Sequence, residues 1–166
     1  IFSDQEKEEF DSVFHEKKMF DEPSIYIYIS SKIVSGDAPK GCENWFVLLN
    51  APINIGQEWD KEIEIKREFI IQKLNKTLKT DIRPLIQCEE ILDPRTIQNK
   101  HNGKFGSIYG NASNNRFSAF YRHPNYSKKL KGLYFVGVSV HPGGGIPLAL
   151  CSSKIATECL YEDFNL

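Results

Sequence analysis

The chain has 166 residues, of which 40% are hydrophobic and 26% charged, with a formal net charge of -1. That length suffices for one ordinary domain or for parts of two, and the balance is that of a foldable chain rather than a disordered one. No basic run invites nucleic acid, no apolar run reaches the roughly 18 residues of a membrane-spanning helix, and no signal peptide is visible.

Ser3-Asp4-Gln5-Glu6 has the form of a capping box, so a helix is predicted from Asp4 to about Lys18. Phe10, Val13 and Phe14 supply its apolar stripe, and the acidic run 6–11 its solvated face. Asp21-Glu22-Pro23 breaks the chain. Residues 24–33, rich in Ile and Tyr, read as a strand. Residues 36–41 carry turn chemistry, and 44–50 read as a second strand buried on both faces. Strand, turn and strand predict an antiparallel pair.

Asp60 is placed to cap a long helix to about Lys79, with Ile63, Ile70, Leu74 and Leu78 on one stripe and Phe69 and Ile71 beside it. A third strand is predicted over 82–92, and Asp93-Pro94 opens a short helix. The Gly-, Asn- and Ser-rich stretch 99–116 is long for an idle connection. A short extended segment is predicted over 117–121, an apolar strand over 133–138, and a helix from 146 to about 161. Cys42, Cys88, Cys151 and Cys159 form no C-x-x-C pair and read as buried reduced thiols. His15, His101, His123 and His141 have no metal-ligand spacing.

The chemistry concentrates in LYFVGVSVHPGGGIPLALCSSKIA, residues 133–156. Three consecutive glycines let a backbone approach a ligand closely, and a helix N-terminus adds unpaired N–H donors and the positive end of its dipole. Pro147 suits the first turn. On spacing alone this is an anion or cofactor site, or only a tightly packed turn. It matches neither G-x-G-x-x-G nor the P-loop pattern.

This string closely resembles the C-terminal motif of bacterial-type carotenoid (phytoene) desaturases, FAD-dependent members of the amine-oxidase-like flavoproteins. Asp21-Glu22-Pro23-Ser24-Ile25-Tyr26 resembles the family's D-P-S-x-Y strand opening. Residues 37–44 resemble its D-x-x-x-A-P-x-G turn with a shorter spacing, and Phe105-Gly106-Ser107-Ile108-Tyr109-Gly110 its G-x-x-F/Y-G loop. Tyr121-Arg122-His123-Pro124-Asn125 resembles its F-R-P-x-N segment with one extra residue. The resemblance runs over nearly the whole chain in the family's order.

The resemblance implies an α/β fold in two parts. Residues 1–95 would be a partial substrate-binding domain with a mixed sheet. Residues 96–166 would be the C-terminal segment of a Rossmann-like FAD-binding domain, with strand 133–138 lacking its parallel neighbours and its sheet edges open. Family members are longer and carry an N-terminal G-x-G-x-x-G, so the chain, which begins at Ile1, would be a truncated or separately produced C-terminal part, inactive alone. The N-terminal remainder would be its partner.

Gly137, Ser139, His141, Gly143, Gly144, Gly145, Ile146 and Pro147 would contact FAD. Backbone donors there would stabilise the negative charge that a reduced flavin carries. No catalytic side chain is assigned. Arg122 reads as a structural salt bridge before an anion contact. Tyr26, Tyr28, Phe46, Phe105, Tyr109 and Phe120 are candidates for an apolar tunnel, each equally at home in an ordinary core.

The implied activity is desaturation of a long isoprenoid, phytoene or a related carotenoid, by hydride transfer to flavin. A redox-neutral carotenoid isomerase and a non-catalytic lipid-binding relative, of the kind seen in the Rab GDP-dissociation inhibitors, are the alternatives. The implied location is cytoplasmic, at most peripheral to the inner face of the cell membrane, although no clear amphipathic anchor is visible.

Overall fold

The computed structural model describes residues 1–110 and 122–165. The predicted segment 117–121 and Phe120 therefore lie outside the described residues. The chain divides into two compact units, Ile1–Arg95 and Thr96–Leu166. The described residues combine helices with one small antiparallel sheet.

In the first unit, helix α1 (Glu6–Asp11) runs into a π-helical turn, Ser12–Glu16, which Lys17 ends in the left-handed region. The helix starts later than predicted because Ser3 does not cap it. Its Oγ accepts the Gln5 N–H at 3.2 Å, closing a local turn that competes with a cap. The buried positions also differ from the predicted stripe. Glu9, Ser12 and Val13 face inward, while Phe10 and Phe14 stack on each other in the open.

Glu9 thus leaves the solvated face assigned to it, and its partners explain why. Its carboxylate accepts the Ser24 N–H and the Asn50 side-chain amide, both at 3.0 Å. These two residues flank the open end of a hairpin, where β1 (Ile25–Tyr28) pairs antiparallel with β2 (Phe46–Leu49). Both strands are shorter than predicted. In the connection, Asn44 Oδ1 accepts the Ser31 N–H at 3.0 Å, and its amide donates to Ser30 Oγ at 2.7 Å. These bonds draw the chain out of the ladder into turns. β2 is not buried on both faces either, since Phe46 and Leu48 are exposed.

Helix α2 (Trp59–Leu78) follows, close to its predicted span but without a side-chain cap from Asp60. Asp60 instead pairs with Arg95, as does Asp93. Trp59, Ile71 and Leu74 are buried, and Leu78 is not. The predicted strand over 82–92 does not form. Asn75 Oδ1 accepts the Ile82 N–H at 2.9 Å and Asp81 Oδ1 the Arg83 N–H at 3.1 Å, turning the chain into the 3-10 turn Arg83–Leu85. Pro84 within it has no N–H for a ladder.

The division between units falls inside α3 (Pro94–His101). The second unit ends in α4 (Ile146–Phe164), longer than predicted. Residues 133–138 form no regular strand. Tyr134 makes an isolated antiparallel bridge with Tyr126, and Val140 a parallel one with His123. An apolar run becomes a strand only beside another strand, and the sheet among the described residues is two-stranded, β1 and β2. Leu133 and Val136 are accordingly exposed.

The cysteines carry no disulfide, but they are not buried thiols: Cys42, Cys88 and Cys151 are exposed and Cys159 is half-buried. On α4 the inward positions are Ser152 and Ala156, which turns Cys151 outward.

Candidate functional site

The predicted site residues gather at the start of α4. The chain bends there through a cis His141–Pro142 bond and three glycines. Gly143 has φ 144° and Gly145 φ 99°, conformations that side chains rarely adopt. Gly144 is glycine for another reason. A Cβ there would lie 2.5 Å from Tyr109 Cδ1, so the tyrosine ring rests directly on the backbone. One of the three glycines thus accepts an aromatic neighbour of the same chain rather than an open approach to ligand.

A second interlock of this kind holds the 105–110 loop on the segment. Gly110 lies against Ser139, where an added Cβ would meet the Ser139 Cβ at 3.1 Å. Arg122 completes the wall. Its guanidinium donates to the carbonyls of Tyr109, at 3.3 Å, and Val138, at 3.4 Å. It packs so close to Gly143 that a Cβ there would come within 3.2 Å of Arg122 Cζ.

Tyr109, Arg122, Pro142, Gly143, Gly144, Gly145 and Leu148 line a shallow, open cavity of about 400 Å³. The first turn of α4 faces this region with no side-chain cap and with Pro in its opening positions. Its N–H groups and the Arg122 charge make the cavity favourable to anionic or strongly dipolar groups.

The other predicted residues take separate roles. Gly137 donates its N–H to Ser152 Oγ at 3.1 Å, so that donor already has a partner inside the protein. His141 is exposed, and its backbone N–H donates to the His123 carbonyl at 2.9 Å. Ser139, Ile146 and Pro147 are exposed. Of the aromatic candidates, Tyr109 lines the cavity, while Phe105 is exposed with the Lys104 ammonium over its ring. In the first unit, Tyr26 pairs across the sheet with Leu48 and Tyr28 with Phe46. All four are exposed, forming one apolar face.

Two residues went unassigned in the sequence. Asn125 is 2% exposed and Ser152 0%, and the Asn125 amide donates to Ser152 Oγ at 2.8 Å. Asn125 belongs to the quoted F-R-P-x-N segment, but a lone Ser inside an apolar helix gives no signal of its own.

Among the described residues, no group of His, Cys, Asp or Glu could hold a metal ion, and no helix is long and apolar enough to cross a membrane. No family model matches the chain. It is 45% identical over 160 residues, 96% of its length, to a 1-hydroxycarotenoid 3,4-desaturase of Flavobacterium sp. (strain P99-3), covering 33% of that protein. It is 36% identical over 99% of its length to a 4,4'-diapophytoene desaturase (4,4'-diaponeurosporene-forming) of Staphylococcus haemolyticus, covering 34% of it. It is 31% identical over 98% of its length to a phytoene desaturase of Fusarium fujikuroi, covering 32% of it. The chain spans about a third of the length of these curated relatives.

Proposed function

We propose that this chain, similar along nearly its whole length to carotenoid desaturases, belongs to that family as the C-terminal portion of an FAD-dependent enzyme that desaturates a long isoprenoid, phytoene or a related carotenoid. The observation that carries the flavin part of this reading is the turn Gly143–Gly144–Gly145 at the uncapped start of α4, opening on the cavity with Arg122.

The residues fit a flavin. Two backbone positions there have conformations that side chains rarely adopt, the donors are amides and a guanidinium, and the cavity is open. FAD supplies a ring that accepts a hydride and then carries negative charge. Gly143, Gly145 and the first turn of α4 would hold it with backbone donors, and the α4 dipole would favour that charge. Arg122 adds a fixed positive group. Gly137 contributes close approach rather than a hydrogen bond, because its N–H is bonded to Ser152. Ser139, His141, Ile146 and Pro147 frame the same turn. Tyr109 covers Gly144 and would give the site an aromatic wall for an apolar substrate.

On this reading the second unit closes a Rossmann-like FAD domain, whose sheet and pyrophosphate loop belong to the N-terminal remainder. The first unit is part of the substrate domain. Its open face of Tyr26, Tyr28, Phe46 and Leu48 supplies apolar wall for a polyene. Such substrates reside in membranes, so the same reading puts the complete protein in the cytoplasm, in peripheral contact with the inner face of the cell membrane.

The test is the visible absorption of the purified full-length protein, followed by product analysis with phytoene and with a hydroxylated carotenoid. Flavin bands and a product with added double bonds are expected. A colourless protein rules out the flavin site, and a flavoprotein that returns only geometric isomers rules out the desaturase.

A further inference from the structure

The Asn125 amide reaches three acceptors: Ser152 Oγ at 2.8 Å, the Phe135 carbonyl at 3.1 Å and the Ser152 carbonyl at 3.4 Å. The Phe135 N–H donates back to the Asn125 carbonyl at 2.8 Å. Ser152 Oγ also accepts the Gly137 N–H at 3.1 Å. One fully buried hydroxyl therefore fastens the segment entering the glycine turn to the helix leaving it. A Cβ at Gly137 would meet nothing within 4 Å, so no neighbour fixes this position from its side-chain direction. The hydrogen bond to Ser152 ties its backbone to α4.

We infer that Asn125 and Ser152 are positioning residues for the flavin site. They set where Gly137 and the turn Gly143–Gly145 stand relative to the N-terminus of α4, and so where the ring is seated. This rests on the flavin reading above. Neither side chain lines the cavity, so both act through the backbone they hold. Ser152→Ala removes the acceptor shared by Gly137 and Asn125 while keeping the helix. Ser152→Cys keeps a weak acceptor of similar size.

The experiment compares the two variants with wild type in the full-length protein. It reads flavin absorption, exchange of the Gly137 amide hydrogen, and kcat and KM of the flavin-loaded enzyme. Ser152→Ala is expected to retain flavin, lose protection at Gly137, shift the visible flavin band, and lower kcat by roughly 10- to 100-fold with KM little changed. Ser152→Cys is expected to recover part of each change. The inference is overturned if Ser152→Ala, or Ser152→Cys should the alanine variant not fold, exchanges Gly137 faster and melts earlier yet keeps wild-type band position and kcat. The network would then be structural only. A wild-type protein without flavin overturns the flavin reading itself, and this inference with it.

Discussion

Replacing Glu9 tests whether a single carboxylate closes the end of the β1–β2 hairpin. Glu9 is 2% exposed and accepts two hydrogen bonds at 3.0 Å, from the Ser24 N–H and the Asn50 amide. The two losses in Glu9→Ala are unequal. Asn50 is exposed and regains water, so its share is about 0.5–1 kcal/mol. The Ser24 N–H is half-buried and keeps a penalty of about 1–2 kcal/mol. The two losses come to about 1.5–3 kcal/mol, and because the alanine variant no longer buries a carboxylate the net expectation is about 1–2 kcal/mol. Glu9→Gln keeps one acceptor for Ser24, and Asn50 can turn its amide to meet the new NH₂, so about 1 kcal/mol or less is expected. Urea unfolding followed by the fluorescence of buried Trp59 measures both. For a chain of this length each kcal/mol also moves Tm by roughly 2–4 °C. An alanine variant within about 0.5 kcal/mol of wild type, the ordinary range for a surface substitution, refutes the clamp. Equal losses for Ala and Gln refute the hydrogen-bond geometry in favour of charge.

Gly144→Ala should destabilise by about 1–3 kcal/mol through overpacking against Tyr109, and Tyr109→Ala in the same chain should relieve most of that cost. Additive losses in thermal unfolding would refute the contact. Tyr134 donates to Asp163 at 2.6 Å, and this bond holds its phenol up to about 12. The phenol's contribution is therefore fully present below the ordinary tyrosine pKa and lost as pH rises through about 12. Ultraviolet titration should show a late tyrosine that Tyr134→Phe removes. The hydrogen bond from Arg95 holds the Asp60 carboxyl below its usual value. Its contribution is present above the ordinary aspartate pKa and lost as pH falls through the lowered one, and Arg95→Gln should return the NMR titration of Asp60 toward normal. In the full-length protein, Phe46→Ser and Tyr28→Ser should raise KM for the polyene several-fold. Their residues sit on an already exposed face, so the melting temperature should stay within a few degrees of wild type.

Local signals in the sequence located the long helix α2, the antiparallel hairpin and the helix after the glycines. Periodicity and turn chemistry are properties of neighbouring residues, so those elements were readable. The third strand was not, because Asn75 and Asp81 satisfy the backbone at Ile82 and Arg83 through side chains that a hydrophobicity pattern does not register. The inward turn of Glu9 was hidden for a similar reason, since its partners lie 15 and 41 residues away. At the glycine turn, the string around His141 could not separate the roles of its glycines. Gly143 and Gly145 answer to backbone conformation, Gly144 to an aromatic ring and Gly110 to a serine, and only assembled geometry tells these apart. Asn125 and Ser152 escaped because a buried hydrogen-bonded pair leaves no periodic trace.

The interlock of the 105–110 loop with the glycine turn also bears on the order in which the second unit assembles. Tyr109 meets Gly144, and Gly110 meets Ser139, across some 30 residues of intervening chain. Closing a loop of that length costs entropy before any contact repays it. Helix α4 can form from local bonds, while the cavity wall waits for the ends of that loop to meet. The wall is then among the later parts to form on folding and, having few buried apolar contacts of its own, among the earlier to open by local fluctuation.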